Sequence, residues 1–145
     1  MLGFTLAVFV GASSAKTTKC NANDSYAAEV ITDYLDSWQN VHQAYKQFKQ
    51  CDDGAVAEGF SDAVARLMAT HWTNLAQLLP LIRNDSAFET FVIDHLDETD
   101  DNDDLLKIDH YALTACAPRA KELCRKIDAH LKSLSCNAQF PCTPP

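Results

Sequence analysis

Apolar side chains recur at alternating steps of three and four along most of this chain, the spacing of helices that bury one face. The first stripe is Ile31, Tyr34, Trp38, Val41, Tyr45 and Phe48. Asp24 or Ser25 can cap it. The pattern therefore predicts one continuous helix of about 25 residues, roughly 37 Å long. Such a helix sets Cys20 and Cys51 at opposite ends and argues against a bridge between them. Cys51-Asp52-Asp53-Gly54 breaks the beat and reads as a tight turn, with Asp52 or Asp53 capping the next helix.

That next stripe is Val56/Ala57, Phe60, Val64, Leu67/Met68 and His71. Gly59 lies inside it, which costs a helix about 1 kcal/mol relative to Ala and suggests close approach by a second helix. A third segment carries Trp72, Leu75, Leu78, Leu79 and Ile82, with Pro80 expected to kink or end it. Asn84-Asp85 is a stop. Ser86 and Glu89 have capping-box spacing and open a short helix with Phe88, Phe91, Val92 and Leu96 inward. After an acidic loop, Leu105, Ile108, Ala112 and Leu113 form another stripe. Pro118 suits the first turn of the last helix, whose stripe is Leu123, Ile127, Leu131 and Leu134. No segment alternates in the manner of a strand. The expected fold is an all-α bundle of five to six helices joined by short loops.

Composition adds a partner restriction. The chain has 145 residues, the size of one domain, and 47% are apolar, enough to build a core. With 20 acidic and 12 basic side chains it carries a net charge of −8, which argues against a nucleic-acid partner. The charge is concentrated. Asp94, Asp97, Glu98, Asp100, Asp101, Asp103 and Asp104 place seven carboxylates in eleven residues, leaving 13 acids against 12 bases elsewhere.

Residues 1–15 contain no charged side chain. Leu2 to Val10 are mostly apolar, and Ser13 and Ala15 supply the small residues of a cleavage site. These features predict a signal peptide over 1–15, a helical domain over 16–135 and a Cys/Pro-rich tail over 136–145. The apolar stretch is too short to span a membrane. Cys20, Cys51, Cys116, Cys124, Cys136 and Cys142 form an even set, which in an exported chain reads as up to three disulfides. Cys116 and Cys124 can pair only if the helix begins after Pro118, because eight helical residues would separate them by about 12 Å.

Three readings compete for the acidic run. A calcium loop would use oxygen ligands at alternate positions, but the run lacks the turn-forming Gly and the terminal Glu. A negative docking surface would steer a basic partner. Otherwise the carboxylates are solvated or cap the next helix. Asp52, Asp53 and Glu58 could serve as acid and base in glycoside hydrolysis, though residues so placed more often cap helices. His42, His71, His95, His110 and His130 form no zinc-binding pair at helical spacing, and Ser61 has no evident base. Trp38, Tyr45, Phe48, Phe60 and Trp72 read as core or, alternatively, as the wall of an apolar ligand cavity. No cofactor or metal is expected.

Six cysteines, a leader and a helical body resemble insect odorant-binding proteins. Those, however, need C-x3-C between the second and third cysteines, where 64 residues separate Cys51 from Cys116. A second resemblance is carried by C-D-D-G-A-V-A-E-G-F-S-D-A-V at 51–64, Trp72, F-E-T-F-V-I-D-H-L-D-E-T at 88–99, and Cys116, Pro118, Leu123 and Cys124. Over residues 25 to 133 the chain resembles small exported bacterial helical proteins. It is similar in layout to periplasmic immunity proteins of interbacterial toxin systems. The resemblance implies a non-enzymatic protein that occludes a cognate toxin, often as a homodimer. The seven acids of 94–104 are then the expected partner-binding residues. An exported carrier of a small apolar ligand is the alternative, and a cell-wall or glycoside hydrolase a further one.

Overall fold

A computed structural model describes residues 19–97 and 99–138. The expected leader, Glu98, the Cys136 side chain and Cys142 lie outside the described residues. The fold is all-α, with seven helices among the described residues, above the expected five to six. They are α1 (Ala22–Thr32), α2 (Trp38–Phe48), α3 (Ala55–Thr70), α4 (Leu75–Asn84), α5 (Ser86–Asp94), α6 (Asn102–Thr114) and α7 (Lys121–Ala138). Single 3-10 turns at Lys49–Cys51, Trp72–Asn74 and Pro118–Ala120 join neighbours. No helix among the described residues is long and apolar enough to cross a membrane.

The additional helix comes from a break in the first stripe. Asp36 and Ser37 are short polar residues that compete with the helical backbone for hydrogen bonds. Ser37 accepts from the Asn40 amide to cap α2, and the Asn40 side chain donates to Asp36 at 2.8 Å. The chain reverses at 33–37, and Cys20 returns to Cys51. These two form a disulfide with their Cα atoms 4.8 Å apart. The expectation against this bridge fails because it assumed one unbroken helix. Cys116 and Cys124 are also bridged. There the stated condition is met, since α6 ends at Thr114 and α7 begins only after Pro118.

Several caps fall one position or more from where the pattern placed them. Asn21, not Asp24 or Ser25, caps α1 by accepting from the Asn23 and Asp24 amides. Asp85, not Ser86, caps α5 by accepting from the Phe88 amide. Neither Asp52 nor Asp53 caps α3, whose first turn follows Gly54 at φ 53°. Only a residue without Cβ takes that left-handed conformation at little cost. Pro80 lies inside α4 without ending it. It forfeits one hydrogen bond, to the carbonyl four residues back, at an exposed position.

α3 is the central helix. Val56, Phe60, Ala63, Val64, Leu67 and Met68 are all buried, and the helix packs against α1, α2 and α6. Such burial around its girth is the mark of a core helix. Trp38, Tyr45, Phe48 and Phe60 are core residues too; Tyr45 and Phe60 both pack on Phe91, at ring-centroid distances of 4.7 and 5.0 Å. α7 is tied to α5 by Lys126 and Glu89 at 2.8 Å, and His130 reaches the Leu96 carbonyl.

Gly59 marks the closest approach. A Cβ built there would lie 2.6 Å from Cβ of Thr32 on α1. Gly59→Ala should therefore destabilise the protein by about 2 kcal/mol through overpacking, although the same change in an open helix stabilises. Thr32→Gly in the same chain, which removes the opposing Cβ, should restore much of the loss. Chemical denaturation of the two variants checks this, and a stabilised Gly59→Ala protein would contradict it.

Candidate functional site

The acidic run is not a free-standing loop. Asp94 closes α5 and Asp101 caps α6, accepting from the Asp103 and Asp104 amides. Asp104 pairs with Lys107 at 2.7 Å. Asp97 accepts from Ser61 Oγ of α3 at 2.9 Å and from both the amide and the hydroxyl of Thr99. The Asp97 amide in turn donates to Asp100 at 3.0 Å. The capping expectation thus holds for Asp101, while Asp97 and Asp100 fasten the loop onto itself and onto α3.

Behind this loop lies His95, buried at the end of α5. Its Nε2 is 3.0 Å from Asp52 Oδ1 and its Nδ1 is 2.8 Å from the Phe91 carbonyl. A carbonyl oxygen and an ionised carboxylate only accept, so the protonated ring is the form that can donate from both nitrogens. The ring also lies 4.0 Å from the Phe91 ring centroid and 5.8 Å from that of Phe60. Burial opposes the charge. The hydrogen bonds to Asp52 and Phe91, with the fields of Asp52 and Asp97, outweigh it and raise the pKa above 6.5.

The carboxylates around it respond in opposite directions. Burial works against ionised Asp97, but hydrogen bonds from Thr99 and Ser61 and the nearby His95 charge leave its pKa lowered. Burial pushes Asp100 up to about 6, opposed by the bond from the Asp97 amide and helped by repulsion from Asp97 and Asp62.

In front of the loop is a shallow depression of about 160 Å³ between α3 and the start of α6. Glu58, Asp62, Asp100, Asp101 and Asp104 line it with Arg66 as the single base. Arg66 lies 3.6 Å from Asp62 and donates to the Leu35 carbonyl. Two α3 carboxylates therefore join the acidic run, an addition that required the tertiary fold. Asp103 is exposed beside them.

No family model, curated protein or solved structure matches the chain.

The three carboxylates considered for hydrolysis occupy different surroundings. Asp52 turns inward to His95, Asp53 accepts from the Gly54 amide, and Glu58 alone lines the depression. Ser61 bonds Asp97 rather than a histidine. No group of three or more metal-ligating side chains occurs among the described residues. What the arrangement offers is a negative surface beside a loop fastened to α3 by Asp97 and Ser61, with buried His95 bonded to half-buried Asp52 behind it.

The pH response follows from the raised pKa of His95. A group raised on folding contributes stability that is fully present below its unfolded pKa and lost as pH rises through the folded value. Thermal stability should therefore fall as pH is raised through the folded pKa of His95, above 6.5. His95→Gln should flatten that slope. In an NMR titration Asp52→Asn should lower the His95 pKa. An unchanged titration would break the assigned pairing.

Proposed function

We propose that this chain is an exported immunity or inhibitor protein of the periplasm that binds a cognate secreted toxin, one that attacks the cell wall, and occludes its active site. The observation that carries the reading is the acidic surface built jointly by α3, the 97–101 loop and α6, on a disulfide-stapled helical domain. Disulfides suit an oxidising compartment, and the leader-like residues 1–15 support export. A pre-set negative surface raises the on-rate of a basic partner and rejects wrong ones more than it adds raw affinity. Occlusion requires no catalytic group of its own.

The fold also divides the acids by role. Asp97 and Asp101 hold the loop, so neutralising them would disturb the structure. Glu58, Asp62 and Asp103 are exposed and do not hold the loop, Asp62 pairing only with Arg66 one turn along its own helix. Exporting the product of the adjacent gene should arrest growth, and co-expressing this chain should restore it. Glu58→Gln, Asp62→Asn and Asp103→Asn together should slow association about tenfold at low salt and leave dissociation nearly unchanged. Growth arrest that this chain does not relieve, or no arrest at all, would sink the proposal.

A further inference from the structure

The first helix is inside out. Its buried positions are the small residues Ala28 and Thr32, the latter set against Gly59. Its large apolar side chains face solvent instead. Tyr26 is 71% exposed, Val30 44% and Ile31 38%, with Tyr34, in the turn that follows, 67% exposed. Tyr26, Val30 and Ile31 fall on one side of the helix, and with Tyr34 they expose on the order of 400 Å². That is about half of what one partner buries in a stable complex of ordinary size.

The surroundings indicate what could supply the rest. From Cys20 to Val41 the chain has four acids, Asp24, Glu29, Asp33 and Asp36, and no basic side chain. Beyond Tyr34 a second depression is lined by Asp33, Asp36 and Asp62 together with Arg66, which is already engaged by Asp62 and the Leu35 carbonyl. Asp62 also lines the acidic depression described above, so the two surfaces are continuous. An apolar strip bordered by carboxylates matches a surface that is apolar at its centre and basic at its edge. A second copy packed strip to strip would instead bring acid against acid.

We propose that α1 is the docking face for a protein partner with an apolar patch rimmed by Lys and Arg. Tyr26, Val30, Ile31 and Tyr34 enter the patch while Asp33, Asp36 and Asp62 meet the rim. The proposal rests on the reading of the chain as a binding protein, but its test needs no toxin. The probe is an amphipathic helical peptide with one Leu face and one Lys face, titrated into the full exported, oxidised chain. Its counterpart carries Glu for Lys.

The Leu–Lys peptide should bind and shift amide signals chiefly within residues 22–37 of the unsubstituted protein, and the Leu–Glu peptide should not bind. Tyr26→Ser with Tyr34→Ser should weaken binding at least about tenfold, whereas Leu106→Ser with Leu113→Ser, at exposed positions on α6, should leave it unchanged. Amide shifts centred elsewhere would overturn the proposal whether or not the variants fold. So would equal binding of both peptides, or a dimer in sedimentation that the α1 variant disperses. Failure here with toxin neutralisation intact would reject the docking face alone. Failure of neutralisation would reject the wider function.

Discussion

The approach of α1 to α3 at Gly59 governs much of this structure. Contact at that distance admits only small side chains on the inner face of α1, and it presents Ala28 and Thr32 there. Hydrophobic stabilisation scales with apolar area, so two small residues anchor a helix weakly. The Cys20–Cys51 bridge adds what the packing lacks. It closes a segment with a sequence separation of 31, and the loss of freedom in the unfolded chain contributes about 3.5 kcal/mol. A helix held by a cross-link and a close backbone contact can turn its larger apolar side chains outward, which this one does.

A second constraint sits on the opposite flank of α3. The buried His95 ring joins the turn before α3, through Asp52, to the end of α5. Asp97 fastens the following loop to Ser61 on α3. The carboxylates thus divide into a buried or bonded set that shapes the surface and an exposed set that can meet a partner. Net charge alone conceals that division.

The helical periods, the stops at 52–54 and 84–85, the close approach at Gly59 and the late start of the last helix were all legible in the sequence. Each is a local signal or follows from helix geometry. The break at 33–37 was not, because Ile31 and Tyr34 continue the three-and-four beat across it. In the structure both side chains face solvent, and the core resumes at Leu35 and Trp38. The cap at Ser37, just before Trp38, was the available signal. Leu113 misleads in the same way: it keeps the beat of α6 and is exposed. The site was legible only as a run of acids. Asp52 and His95 are 43 residues apart, and Glu58 and Asp62 join the acidic surface only through tertiary packing. No periodicity encodes such contacts.

The Cys20–Cys51 bridge, more than buried area, holds α1 in place. Amide hydrogen exchange on the oxidised protein and on the Cys20→Ser, Cys51→Ser variant tests it most directly. Residues 22–32 should lose protection most, while the amides of α3 and α7 should lose no more than the bridge contributes to the whole fold, about a few hundredfold. Retained protection in α1, or an equal loss in α1, α3 and α7, would contradict this.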